Sequence, residues 1–153
     1  MVIPNKVKDL NTHTVYLGLG SNQGNKEANL KVAIEEINKR VGEVTSQSAF
    51  YATAPWGFES ENTFLNAVCL VKTTLSPLEL LSITRKIEQS LGRIKKSVNG
   101  CYCDRPIDID ILLYDDIKIN TPELTIPHPL MWQRDFVKIP LKEIAPEITI
   151  SFE

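Results

Sequence analysis

The stretch Arg105-Pro106-Ile107-Asp108-Ile109-Asp110-Ile111-Leu112-Leu113-Tyr114 alternates branched apolar and acidic side chains with a period of two. Side chains on a strand point to opposite faces in turn. The spacing therefore predicts a strand over 106–114, with Ile107, Ile109, Ile111 and Leu113 on one face and Asp108, Asp110 and Leu112 on the other. An isoleucine face has to be covered, and two stretches upstream have the pattern to cover it. Leu30, Ala33, Ile34, Ile37 and Val41 recur at helical spacing, with Gly42 as the expected stop. Ser76-Pro77-Leu78-Glu79 gives an N-cap, a proline at the first helical position and a reciprocal Glu. It opens a second helix whose stripe is Leu80, Thr84, Ile87 and Leu91 and which Gly92 ends.

Three further strands are expected: Thr14 to Leu19, ending in a turn over Gly20-Ser21-Asn22-Gln23-Gly24-Asn25; Val44 to Tyr51; and Phe64 to Thr74. A loop carrying Trp56 and Phe58 separates the last two. The order strand, helix, strand, strand, helix, strand predicts an α+β, ferredoxin-like βαββαβ fold. In that fold a four-stranded antiparallel sheet carries both helices on one face and leaves the other free. The Pro-rich run Thr121 to Pro129, a short helical stretch from Met131 to Val137 and a tail from Leu141 to Glu153 would pack around the sheet edges.

A chain of 153 residues, 42% of them apolar, is read as one domain over 14–153 behind a poorly ordered extension over 1–13. The net charge of −2 gives no bulk positive field for nucleic acid or anionic lipid, so an anion has to be held by locally placed groups. Met1 to Thr14 has no apolar run of signal-peptide length. Cys69, Cys101 and Cys103 make no disulfide framework and no zinc spacing, which points to a reducing, cytoplasmic setting.

Asp108 and Asp110 share a face about 7 Å apart along the strand. Two carboxylates so close repel unless a cation sits beside them, and magnesium with phosphate oxygens is the natural partner. The alternative is a solvated strand face. Arg93, Lys95, Lys96 and Arg105 before the strand and Arg134 after it could bridge phosphate oxygens, although a basic loop can also be only a solvated loop. Phe64 and Asn66, two apart, offer a ring to stack on and an amide to read the edge of a flat heterocycle; Phe64 as core is the alternative. His128, between Pro127 and Pro129, suits a fixed donor or is a surface-loop histidine. Gly18-Leu19-Gly20 lacks the third glycine of a dinucleotide fingerprint, and no G-x-x-x-x-G-K-[ST] occurs.

Taken together, Gly20-Ser21-Asn22, Phe64-Leu65-Asn66, Ile87-Glu88 ahead of Gly92-Arg93, Arg105 to Asp110, Ile126-Pro127-His128-Pro129, Arg134 and Phe136 resemble the 6-hydroxymethyl-7,8-dihydropterin pyrophosphokinase family. The resemblance runs from about Val15 to Pro146. It implies transfer of the β,γ-diphosphate of ATP to the hydroxymethyl group of the pterin, with release of AMP, in folate biosynthesis. It also implies Asp108 and Asp110 as ligands of two magnesium ions, and Arg93 and Arg105 as catalytic arginines. Glu88, Lys95, Ile111, Thr125, His128 and Arg134 match nucleotide positions. Thr53, Trp56, Phe64, Asn66 and Phe136 match pterin positions. Arg85 stands where the family often has Gln. The implied partners are ATP and the pterin, with no nucleic acid or membrane, and the chain is expected to be a monomer. The rival reading is a non-catalytic ferredoxin-like module that binds a small molecule without needing magnesium.

Overall fold

The decisive strand forms as Asp108–Tyr114, at the edge of an antiparallel sheet. The structure, a computed structural model, describes residues 12–53, 63–92 and 106–148. In chain order the elements are β1 (His13–Ser21), α1 (Lys26–Arg40), β2 (Gly42–Gln47), β3 (Tyr51–Thr53), β4 (Phe64–Thr73), α2 (Pro77–Ser90) and β5 (Asp108–Tyr114). A short ribbon of β6 (Ile119–Asn120) and β7 (Thr125–Ile126) follows, then a 3-10 turn at Met131–Gln133 and α3 (Asp135–Ile144). The sheet order is β2-β4-β1-β5, with β3 also pairing β4. This is the expected ferredoxin-like arrangement, with the expected second strand realised in two pieces.

Side-chain caps open both helices, at the expected Ser76 for α2 and, for α1, at Asn25, which was expected only as part of a turn. Asn25 accepts the Ala28 N–H at 3.0 Å at the head of α1. At the head of α2, Ser76 and Glu79 exchange bonds in a full capping box, a device contributing about 1 kcal/mol. Leu30, Ala33 and Ile37 of α1 and Leu80 and Ile87 of α2 bury against Val15, Leu17, Leu19, Cys69, Val71, Ile109 and Ile111 of the sheet. The isoleucine face is thus covered as expected.

Five local expectations are corrected. First, Gly20 and Ser21 continue β1, paired with Asn66 and Leu65, where a turn was expected. Second, Gly42, expected only as a stop just past the end of α1, stands there but also begins β2, and a Cβ on it would lie 2.0 Å from the Lys72 carbonyl oxygen, so the strand needs a residue without a side chain. Third, Leu17 faces Ile111 but Tyr16 faces Leu113, so a bulge at Leu112 interrupts the alternation of β5. Leu113 consequently joins Leu112, Tyr16 and Val68 in a second apolar cluster, away from the isoleucines.

The fourth correction concerns where that cluster lies. It is on the face expected to be free, and Met131, Val137, Leu141 and Ala145 complete it, so the C-terminal segment packs on the second face and not around the edges. Fifth, the expected short helix ending near Val137 runs on as α3 to Ile144, past a buried Pro140. Proline usually ends a helix; here the burial of Leu141 and Pro140 outweighs that local preference. Among the described residues no helix is long and apolar enough to cross a membrane.

Candidate active site

In an antiparallel sheet, residues directly opposite one another share a face. Gly20 of β1 faces Asp108 on one side and Asn66 on the other, and Asn66 faces Tyr51 of β3. The next row is Asp110, Gly18 and Val68. With strands about 4.8 Å apart, Asp108 and Asn66 stand roughly 10 Å apart across a bare glycine. A Cβ at Gly20 would lie 3.0 Å from Asn66 Oδ1 and 3.5 Å from Phe64 Cδ1, so amide and ring crowd over the peptide where a side chain would be. Sequence reading placed this glycine in a turn; the signal that could have found it is the Gly-x-Gly spacing inside a continuing strand.

Asn66 is buried, and its Nδ2 donates to Thr53 Oγ1 at 2.8 Å. That bond fixes which end of the amide faces Gly20. Thr53, Phe64 and Asn66 therefore come together as expected. Trp56 lies outside the described residues, as do Arg93, Lys95, Lys96, Cys101, Cys103 and Arg105.

On the outer side of β5 a cleft of about 310 Å³ is lined by Arg85 and Glu88 of α2, Asp108 to Ile111 of β5, and Glu123, Thr125 and His128 of the following loop. The expected nucleotide residues Glu88, Ile111, Thr125 and His128 meet here, beside both aspartates. Arg85 and Glu123, which sequence reasoning did not place in the site, line it too. Glu88 is 5% exposed, and its Oε2 accepts the Ile109 N–H at 2.7 Å. That N–H points off the sheet edge, so the carboxylate both closes the edge and fixes the strand between the two aspartates.

The His128 backbone N–H donates to Leu112 O at 3.0 Å, and its Nδ1 accepts from the Leu130 N–H at 3.3 Å. The ring proton of the neutral imidazole accordingly sits on Nε2, which lies 4.0 Å from Asp110 Oδ2. Burial pushes the imidazole pKa below its ordinary value, the charge of Arg134 pushes it further, and Asp108 opposes both. Arg134 does not line the cleft. It is buried, with its guanidinium 5.5 Å from the ring centre of Phe136, which packs against the second apolar cluster.

Among the described residues no group of three or more His, Cys, Asp and Glu side chains converges on one point. Asp108 and Asp110 beside the cleft suit a cation that takes one or two carboxylates and completes its shell with water and phosphate oxygens. Magnesium has that habit.

The chain matches the family model for 7,8-dihydro-6-hydroxymethylpterin-pyrophosphokinase over residues 16–146. It is 53% identical over 133 residues to the 2-amino-4-hydroxy-6-hydroxymethyldihydropteridine pyrophosphokinase of Porphyromonas gingivalis, covering 86% of this chain and 90% of that one. It is 44% identical over 135 residues to the enzyme of the same name from Aquifex aeolicus, covering 88% and 82%. In fold it is similar to the Plasmodium falciparum HPPK-DHPS structure with pterin and p-hydroxybenzoate, with a TM-score of 0.71 at 19% identity over 90% of this chain. The match spans 40% of that longer chain.

Proposed function

The chain belongs to the 7,8-dihydro-6-hydroxymethylpterin-pyrophosphokinase family, and on that premise we propose how its site is divided between two substrates. It is a diphosphotransferase of folate biosynthesis: the β,γ-diphosphate of ATP passes to the hydroxymethyl group of 6-hydroxymethyl-7,8-dihydropterin, and AMP leaves. ATP takes the cleft of Glu88, Ile111, Thr125 and His128; Lys95 and, from outside the cleft lining, Arg134 are the cations assigned to it. The pterin takes the ring site of Thr53, Phe64, Asn66 and Phe136, and Trp56 is assigned to the same substrate.

The observation that supports this division is the row Asp108–Gly20–Asn66. One carboxylate borders the cleft, one amide borders the ring site, and nothing but a glycine stands between them. Asn66, held by Thr53, offers its Oδ1 to the heterocycle edge, and Phe64 stacks on its face. A bound pterin so oriented carries its hydroxymethyl group toward the aspartates, in line with the phosphorus to be attacked. His128 Nε2–H is aimed to donate to a phosphate oxygen beside Asp110. Arg93 and Arg105 are assigned to the charge developing toward AMP.

Asp108 and Asp110 are the residues that would hold two magnesium ions. When bound there, these supply positive charge to offset the phosphate oxygens. We take the chain to act as a monomer in the cytoplasm.

The test is a reaction of enzyme, ATP, magnesium and the pterin followed by phosphorus NMR. AMP and a pterin diphosphate ester are expected in equal amounts. ADP as product overturns the diphosphate transfer, and binding of the pterin without turnover supports the non-catalytic module instead.

A further inference from the structure

The second strand of the sheet is interrupted, and the interruption controls the ring site. Gln47 faces Cys69 while Tyr51 faces Asn66, so four steps along one chain match three along β4. The extra residue lies within 48–50 and forms a bulge. Slipping a strand by one residue sends its side chains to the opposite face. Without the bulge, Phe50 would oppose Asn66, and Thr53 would point to the helix-covered side. With it, Phe50 packs against the first core, and Thr53 reaches the Asn66 amide at 2.8 Å.

The bulge is held from two directions. Ser48 donates its N–H to Val68 O at 2.9 Å, and its Oγ accepts the Val68 N–H at 3.0 Å, standing in for the carbonyl that the bulge removes from the ladder. On the other side Glu143, near the end of α3, has both carboxylate oxygens 3.1 Å from the Ala49 N–H and also accepts the Tyr51 hydroxyl. The helix that covers the second face therefore reaches back to hold the middle of the irregular segment and the residue that follows it.

We infer that Glu143 is a positioning residue for pterin recognition: its carboxylate fixes the bulge that keeps Thr53 against Asn66. It acts through Ala49 and Tyr51, and the inference rests on the ring-site reading above. Loss of the carboxylate leaves the Ala49 N–H and the Tyr51 hydroxyl to water, frees the register of β3, and lets the Asn66 amide turn.

The experiment compares Glu143→Ala, Glu143→Gln, Tyr51→Phe and Asn66→Ala in the full chain, reading KM for each substrate, kcat, and direct binding of the pterin by fluorescence. Glu143→Ala is expected to weaken pterin binding about tenfold, as loss of a supporting partner does elsewhere, with KM for ATP within about twofold. Glu143→Gln, which keeps an acceptor for Ala49, should recover part of that loss. Adding Thr53→Val to Glu143→Ala should cost little more, because the two act on one amide. Tyr51→Phe, a milder change, should shift pterin affinity in the same direction and serves if Glu143→Ala does not fold. Equal rises in both KM values, or full pterin affinity in Glu143→Ala and Tyr51→Phe when Asn66→Ala has lost it, overturn the inference alone. Full pterin affinity in Asn66→Ala overturns the ring-site reading and the inference with it.

Discussion

Glu88 Oε2 accepts the backbone N–H of Ile109 at 2.7 Å, which ties the last turns of α2 to the strand at the residue between Asp108 and Asp110. The bond is buried. Glu88→Ala would leave that N–H without an acceptor where water reaches poorly, at a cost of about 1–3 kcal/mol. Glu88→Gln retains an acceptor oxygen and should cost less. Urea denaturation of the two variants checks this. Equal losses would mean that the charge of Glu88, and not its bond to the strand, stabilises the edge.

Gly20 separates the aspartate from the amide, and its missing side chain is what leaves the row open. Gly20→Ala sets a methyl 3.0 Å from Asn66 Oδ1, so the amide has to give way by a few tenths of an ångström. The fold should survive, since the backbone there is an ordinary strand. Pterin affinity should fall about tenfold while ATP affinity stays near wild type, because the methyl both fills space over β1 and displaces the amide that reads the ring, and site geometry tolerates little misplacement. Fluorescence titration of each substrate decides it. An unchanged pterin Kd would show that the ring does not lie over β1.

What the sequence made legible here is what local pattern controls. Alternation of Ile and Asp gave β5 and the shared face of Asp108 and Asp110, and Ser76 with Glu79 gave the start of α2. The misses share one cause, which is that distant contacts decide them. The bulges at Leu112 and at 48–50 answer to the partner strands, and no local signal marks the residue that is extra. Pro140 argues locally for a stop, while Leu141 is buried in the second apolar cluster, which includes Tyr16 and Val68 of the sheet. Glu143 reads as a surface residue of a tail until α3 is seen to lie across the second face. The cleft side of the site was legible through Glu88, Thr125 and His128 only by resemblance, since residues so far apart in sequence give no periodic signal.

Asp108 and Asp110 carry like charge on neighbouring positions of one strand face. If a cation is their reason, Asp108→Ala and Asp110→Ala should each lower turnover by at least about a hundredfold. Thermal stability without metal should hold or rise slightly, because a repulsion is relieved. Manganese binding in the presence of a non-hydrolysable ATP analogue, read by electron paramagnetic resonance, supplies a readout besides activity. Wild-type manganese affinity in both variants would remove the pair from the metal site.

Cys69 of β4 is fully buried in the core beneath the helices, and burial pushes its thiol pKa up to about 12. Only the thiolate is nucleophilic, and at pH 8 on the order of one in ten thousand would be ionised. In a Cys101→Ser/Cys103→Ser variant the remaining thiol should stay unreactive toward a disulfide reagent in the native protein. Raising the pH from about 7 to 9 should not release it, whereas an unperturbed thiol would ionise over that range. Unfolding in urea should expose it at once. Fast labelling of the native chain would mean that the first core opens locally.

Gly42 distinguishes a helix stop from a strand contact by a single substitution. A glycine that merely ends a helix at ordinary negative φ is replaced by alanine at a gain of about 0.4–1 kcal/mol, because the unfolded chain loses freedom. The structure requires the opposite sign. Gly42 does not have a positive φ, so alanine meets no backbone strain. Its Cβ, however, would lie 2.0 Å from Lys72 O and 2.9 Å from Lys72 C, which are backbone atoms of β4 that cannot rotate aside. The two strands would have to separate at the Gly42–Thr73 pair, next to the buried Thr73 hydroxyl that donates to Val41 O at 2.6 Å. A loss of about 3 kcal/mol or more is expected, at the upper end of what overpacking costs. Denaturant midpoints of Gly42→Ala against wild type measure it, and a neutral or stabilised variant would show that β2 does not approach β4 so closely.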